Sequence, residues 1–526
     1  MRNIILLCAI LLVVILALAS KYFTDLAGKD ENVTKVLNYI PADAALVLNF
    51  KNDESFYDIF KDYQLFKAIM GENRTDEINQ LKLLLLEQTS LAEIAADKNI
   101  FLSFHPTADS VEFLYSINLD NKYSTTDLKE SMLEIKDFEV KPSGKNIYKI
   151  QSSTLRKPFY IFLEEGVAIA SFSDALLTKC VNEKGSEENK SFINEIGKTS
   201  SKNLNSPVNL FINHKTGPAY LQKFFRGKLS GNSALLNNLN GISSLSMNFK
   251  SDALMFNGIS YTDTLSPNYL NLFLHQKAVP NQIKKVLPEN TSNFIAFGLS
   301  DVRKFHSDLK TYFGKRGELK NLENKLKLIQ SKTGVNPDRD IKPFFDKEFV
   351  TIENSYGEKF VIIKVSNGRN INFKLQLIST LVNEQISKIN HSELFYYYFG
   401  DPLKNFPMPY FAVADNYLIV ANTPGIISNF LSIYQKDLFL SHKDSFKLYD
   451  QLVANQSNIL YFININNSRR VINSTLRSNY AKPFNNEAFG LKNFYGLSCQ
   501  WTGDEDHFST NLYLSYNSSD SIALNR

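Results

Sequence analysis

What most constrains this chain is that it opens a globular unit twice. "YIPADAALVLNF", Tyr39 to Phe50, is a proline turn leading into a strand with alternating apolar residues at Leu46, Leu48 and Phe50. Roughly 250 residues later comes "VLPENTSNFIAFGLS", Val286 to Ser300. At a shift of 249, Leu46, Leu48 and Phe50 fall on Ile295, Phe297 and Leu299. Phe56, Phe60 and Tyr63 fall on Phe305, Leu309 and Tyr312, the i, i+4, i+7 stripe of an amphipathic helix. Asp97-Lys98 falls on Asp346-Lys347, each opening a strand. The shift then drifts to 251, where Pro158 meets Pro409 and "LFIN" (Leu210 to Asn213) meets "YFIN" (Tyr461 to Asn464). At 255, Gly241 and Ser243 meet Gly496 and Ser498, and Ser260-Tyr261 meets Ser515-Tyr516. A register that lengthens at loops is what tandem duplication predicts, because loops tolerate insertions.

Each copy reads as strands and hairpins with helices between them. The expectation is an α+β fold: two tandem copies of a largely antiparallel sheet with helices on one face. Residues 33–263 form the first copy and 283–517 the second. The linker, residues 264–282, carries "TLSPNYLNLFLHQKAVPN" and reads as a helix between prolines.

Residues 1–22 precede this as an anchor or signal peptide. Arg2 is followed by an uncharged apolar run, Ile4 to Ala19. That length falls between a spanning helix of about 17–25 residues and a signal core of about 7–15. Ala17-Leu18-Ala19 fits small-x-small cleavage, while the unbroken run favours an uncleaved transmembrane anchor. Either way the rest is exported: anchored in the inner membrane and facing the periplasm, or free there if the leader is cleaved. Cys8, Cys180 and Cys499 make neither a disulfide framework nor a zinc site.

"TGVNPDRDIKPFFDKEFVTIE", Thr333 to Glu353, ends a helix at Gly334, restarts at Asn336-Pro337 and leads into a strand. With the N-terminal run and the "YIPADAALVLNF" opening, it resembles the exported, membrane-anchored bacterial proteins of domain-of-unknown-function family 3352. The first copy departs from the pattern, reading "TSLAEIAADKNIFLSF" without the Gly and Pro. The resemblance implies an envelope location and brings no activity or site residues.

No motif points to catalysis, a cofactor or a metal. The positions matched between copies are Pro, Gly, apolar residues and Asn213/Asn464, which read as turn formers. There is no H-E-x-x-H, P-loop or G-x-S-x-G. "GDEDHF", Gly503 to Phe508, reads as a solvated hairpin turn. A net charge of +4 excludes a generally basic nucleic-acid binder.

Charge is nonetheless segregated. Ile196 to Ser251 and Gln451 to Asn486 contain no acidic residue, and each holds the element that follows the "FIN" strand. The basic residues there are Lys215, Lys223, Arg226 and Lys228, then Arg469, Arg470, Arg477 and Lys482. Read as helices, the two segments place Lys223 with Arg226, and Arg470 with Arg477, on one face each. Such faces suit an anionic lipid, glycan or envelope protein. The expectation is a non-enzymatic, membrane-tethered envelope scaffold. A carrier of lipid or another hydrophobic ligand, and a hydrolase with a dispersed active site, are the alternatives.

Overall fold

Every strand ladder among the described residues is antiparallel, as the many hairpins require. The structure is a computed structural model that describes residues 34–53, 93–107, 111–119, 124–133, 139–152, 155, 157–164, 166–202, 206–227, 232, 240–250, 253–485 and 494–516. The leader, the helix expected around Phe56 to Tyr63, and Lys228 lie outside them. No helix among the described residues is long and apolar enough to cross a membrane. The chain divides into two units, 1–63 with 73–223, and 64–72 with 224–526.

In the first unit the strands are β1 (Leu46–Lys51), β2 (Asn99–Pro106), β3 (Val111–Asn118), β4 (Glu139–Gly144), β5 (Ile147–Gln151), β6 (Phe159–Glu164), β7 (Val167–Ser171) and β8 (Val208–Asn213). They pair in the order β4-β5-β6-β7-β3-β2-β1-β8. The more buried face of β1 carries Val47 and Asn49, opposite Ser103 and Phe101 of β2. Leu46 and Leu48, the apolar alternation legible in the sequence, are only half-buried. Helices Asp174–Asn182 and Lys190–Lys202 add buried Leu176, Leu177, Cys180, Phe192, Ile193 and Ile196.

The second unit holds β9 (Gly241–Lys250), β10 (Ala253–Thr262), β11 (Val279–Pro280), β12 (Thr291–Gly298), β13 (Phe345–Asn354), β14 (Lys359–Val365), β15 (Ser379–Leu381), β16 (Ser387–Ile389), β17 (Tyr410–Ala414), β18 (Tyr417–Ala421), β19 (Gln456–Ser457), β20 (Ile459–Asn464), β21 (Phe494–Asp504) and β22 (His507–Tyr516). Its sheet runs β15-β16-β17-β18-β14-β13-β12-β20-β21-β22-β10-β9, with β11–β19 a separate pair. Up to β20 this repeats the order of connection found in the first unit. β9 and β10, read from sequence as the end of the first copy, lie here against β22.

Helices on one face was the expectation, and the second unit differs. β12 is buried at all eight positions, and two separate apolar clusters flank the sheet. Ile295, Phe297, Val361 and Ile363 pack with helices Val302–Lys315, Leu319–Thr333 and Leu394–Phe399. Phe294, Ala296, Phe360 and Ile362 pack with Pro424–Gln435 and Asp444–Asp450. The cause is visible in "FVIIKV" and "YLIVA", which are near-continuous apolar runs of the kind found where both strand faces are covered. The 264–282 segment also differs from a linking helix. It forms a 3-10 turn, Tyr269–Phe273, whose Tyr269, Leu270, Leu272 and Phe273 enter the first of these clusters.

The ladders also refine the alignment. Leu48 pairs with Leu210, and Ile295 pairs with Tyr461. With Leu210 and Tyr461 matched, β1 corresponds to β12 at 247, the spacing of Pro41 and Pro288. The amides of Ala44 and Thr291 accordingly donate to the carbonyls of Pro41 and Pro288, at 3.1 and 3.0 Å. A slip of two residues keeps every side chain on its face, so alternation in the sequence cannot detect it.

Candidate functional site: the basic segments and a buried serine–histidine–aspartate relay

Each basic segment starts at an asparagine that ends a strand. Asn213 Oδ1 accepts from the Lys215 amide at 3.1 Å, and Asn464 Oδ1 caps the next helix by accepting from the Asn467 amide at 3.0 Å. The next polar side chains fasten each segment to the turn ahead of β1 or β12. Thr216 Oγ1 donates to the Ala44 carbonyl at 2.9 Å, and Asn467 Nδ2 to the Thr291 carbonyl at 2.8 Å.

The segments then depart from the helical reading. The first helix spans only Gly217–Leu221, ahead of Lys223. The second ends at Thr475, and a new one, Ser478–Asn485, begins after Arg477. So neither Lys223 with Arg226 nor Arg470 with Arg477 shares a helix face. The chain leaves the helix because Phe225 forms an isolated antiparallel bridge with Leu476. The amide of Arg226 donates to Thr475 O at 2.7 Å, and that of Arg477 to Phe224 O at 2.9 Å. The side chains follow suit: Arg226 Nε donates to Leu476 O at 2.7 Å, and Arg477 Nε to Phe225 O at 3.0 Å. Phe224 packs against Tyr480 with ring centroids 4.8 Å apart and the rings tilted by 52°. These two arginines therefore act as a reciprocal clasp on the backbone.

Of the other basic residues singled out by sequence, Lys215, Arg469 and Arg470 are exposed. Arg469 donates to Asn466 Oδ1 at 3.0 Å, and the Arg470 guanidinium lies 5.9 Å from the centre of the Tyr356 ring. Lys223 is half-buried, and Lys482 sits in the helix Ser478–Asn485.

One constellation was not read from the sequence. Ser103 and His105, two apart on β2, point to the same face. Ser103 Oγ lies 2.8 Å from His105 Nε2, and His105 Nδ1 lies 2.8 Å from Asp43 Oδ1. Lys179 Nζ donates to Asp43 Oδ2 at 2.6 Å. Burial alone would raise the Asp43 carboxyl, but His105 and Lys179 outweigh it and hold it down at about 2. The connectivity is that of a nucleophile relay. However, Ser103 and His105 are both 0% exposed, and Ser103 is paired between Val47 and Leu114 in mid-sheet. A hydroxyl so placed meets no substrate. The relay instead ties the turn before β1 to β2 and to the helix Asp174–Asn182. Its only sequence trace is the Ser103/His105 spacing on a strand, since Asp43 lies 62 residues away.

A second polar ring sits in the second unit. Tyr312 Oη and Arg316 Nη1 donate to Asp401 at 2.6 and 2.8 Å, while Arg316 Nη2 and Tyr396 Oη donate to Glu318 at 2.8 and 2.5 Å. Burial, then the adjacent carboxylates, push both tyrosines up. Every carboxylate oxygen here has its donor, which marks a structural network. "GDEDHF" forms the β21–β22 turn, with Glu505 at φ 59°, and among the described residues no group of His, Cys, Asp or Glu is arranged to hold a metal.

No protein-family model matches the sequence, and no curated protein matches it. Among solved structures, crystal forms IV, III and I of TP0453 align at 11%, 12% and 12% identity. They cover 43%, 46% and 46% of this chain and 79%, 88% and 87% of theirs, with TM-scores of 0.25, 0.25 and 0.24. At that level the likeness says nothing of function.

Proposed function

We propose that this chain is a non-enzymatic, membrane-tethered protein of the bacterial cell envelope, built from two tandem copies of one α+β scaffold. Its exposed basic residues Lys215, Arg469 and Arg470 engage an anionic envelope component, a lipid headgroup or an acidic glycan. Residues 1–22 provide the tether, and the rest faces the periplasm. Membership of family 3352 is part of the same proposal.

The observation that carries the reading is repetition. The same eight-strand order occurs twice, and the same strand in each copy, β8 and β20, is followed by an acid-free basic segment. The clasp supports it further. Arg226 and Arg477, 251 apart like the "FIN" strands, make the same kind of bond, each from Nε to the carbonyl of the residue before the other. β10 pairs antiparallel with β22, its own counterpart, in the same manner.

The test is retention of the detergent-solubilised full chain on an immobilised acidic polysaccharide, at low and at physiological salt. Replacing Lys215, Arg469 and Arg470 by Gln is expected to lower the eluting salt concentration, with unchanged melting temperature. Wild-type protein that is not retained, or retention indifferent to the substitutions, refutes the basic-surface reading.

A further inference from the structure

The helix Gly368–Gln376 and the edge strand β15 carry a second surface, independent of the basic segments. The helix is firmly seated. Asn367 Oδ1 caps it by accepting from the Asn370 amide at 3.0 Å, and Ile371 and Leu375 are fully buried. The Gly368 amide donates to Asn416 Oδ1 at 3.0 Å. A Cβ on Gly368 would lie 1.7 Å from the Asp415 carbonyl, so only glycine permits this approach.

A helix anchored on one face would ordinarily present polar residues on the other. This one presents Phe373, 59% exposed, and just beyond its end Leu377, 50% exposed. Phe373 and Leu377 are i, i+4 neighbours, and Arg369 lies one turn earlier on the same stripe. The chain passes directly into β15, where Leu381 is 63% exposed and Val382, next to it, 46%. β15 pairs only with β16, so its outer edge is open among the described residues. Four large apolar side chains exposed within ten residues of sequence differ from singly scattered ones, which need no explanation.

Charge identifies what covers them. Lys359 to Asn383 contains no acidic residue. Lys359 and Lys364 are committed to Glu353, Asp346 and Glu348, and Lys388, opposite Thr380 on the other face of the strand pair, lies 5.3 Å from the centre of the Tyr410 ring, but Arg369 is exposed and Lys374 approaches Asp340 only at 4.0 Å. Glu384, in the β15–β16 turn, is the acidic residue nearest in sequence. Apolar side chains on a helix flanked by Arg and Lys are the composition of an interfacial element, which sinks a few ångströms into an anionic leaflet. The helix at the same point of the first unit, Thr125–Leu133, exposes Asp127, Lys129 and Glu130 and, among its described residues, one large apolar side chain, Leu133.

We propose that the Gly368–Gln376 helix and β15 form a docking surface for an anionic lipid bilayer, with Phe373, Leu377 and Leu381 entering the acyl boundary while Arg369 and Lys374 meet the headgroups. The N-terminal run could itself bind vesicles, so the readout must be local. Phe373→Trp in the full chain supplies it, with the unsubstituted protein correcting for the buried Trp501. With phosphatidylglycerol-rich vesicles the added indole is expected to shift blue and to be quenched by brominated acyl chains. Neither change is expected with pure phosphatidylcholine. High salt, or Arg369→Gln with Lys374→Gln, should remove most of the quenching, and Leu377→Ser with Leu381→Ser should do the same at low salt. Absence of quenching with anionic vesicles overturns the proposal. So does a blue shift that grows with protein concentration in the absence of lipid, which would assign the surface to a second copy of the chain. Equal quenching in neutral and anionic vesicles overturns it as well.

Discussion

The two units approach their first common strand differently. In the first, the turn before β1 is held by ionisable groups: Asp43 bound to His105 and Lys179. In the second, the corresponding positions are Asn290, 247 further on, and Asn354, 249 further on. Asn354 Oδ1 accepts from the amides of Tyr356 and Glu358, both at 3.0 Å, and organises the β13–β14 turn. Neutral amides thus replace a half-buried charge cluster at the same place in the sheet. A charge network gains orientation at the cost of desolvation, and it fails badly when one member is lost. An amide that serves its own turn is a local device.

The largest effect expected follows directly. His105→Leu leaves Asp43 Oδ1 without its imidazole partner and the Ser103 hydroxyl with only a 3.5 Å contact to the Leu114 carbonyl, at a cost of about 3 kcal/mol. Asn354→Leu should cost nearer 1 kcal/mol, because it loses turn bonds that water can in part replace. Hydrogen exchange followed separately in β1–β3 and β12–β14 would measure both. Equal losses in the two units would erase the contrast.

Acid should reverse the ranking. In the second unit, burial, followed by the positive charge of Lys342, holds His306 down at about 4 against its ordinary 6.5. Its unfolded form therefore takes up a proton first. The stability it contributes is complete above pH 6.5 and is lost as pH falls toward 4, by about 3 kcal/mol in all. Asp43 in the first unit has a depressed carboxyl pKa, about 2 against 3.8. Its contribution is complete above 3.8 and is lost only below that value. It amounts to about 1 kcal/mol once solvent screening of a partly exposed group is allowed for. Exchange protection should fall in β12–β14 between pH 6 and 4, before it falls in β1–β3. His306→Leu should remove that early phase, and its persistence in the variant would assign the phase to other groups.

What the sequence discloses here depends on range. Antiparallel hairpins were legible because their signals are local: alternation, a turn, alternation again. The turn-forming role of Asn213 was legible for the same reason, whereas Asn464, read alike, caps a helix. The two-sided cover of β12 and β14 needed more weight on unbroken apolar runs than on alternation. The basic helices were over-extended, because nothing near Phe225 or Leu476 signals that these residues will pair with each other across 251 positions. The Asp43–His105 contact was hidden similarly, since its members lie on a turn and a strand far apart in the chain.

The clasp offers a smaller and cleaner comparison. Arg226 and Arg477 each donate Nε to a carbonyl that would otherwise meet water, so Arg226→Gln and Arg477→Gln should each lower stability by about 1 kcal/mol. Thermal melts of the two variants should coincide, because the bonds are the same. A large asymmetry would show that the likeness of the two contacts is geometric only.

The smallest effect tests the asparagines that begin both segments. Asn464 caps a helix running Ile465–Thr475, and its side chain satisfies one of the four amides such a helix leaves free. Asn213 serves only a turn ahead of the short helix Gly217–Leu221. Removal of an asparagine cap costs about 1 kcal/mol where a full helix depends on it, and a turn bond costs about half of that. Asn464→Ala should therefore destabilise more than Asn213→Ala, even though the residues end equivalent strands. Urea titrations with a common slope would resolve the difference. Equal shifts of the midpoint would mean that the bond common to both, from Asn Oδ1 to the following amide, carries the whole effect, and that the length of the helix beyond it adds nothing.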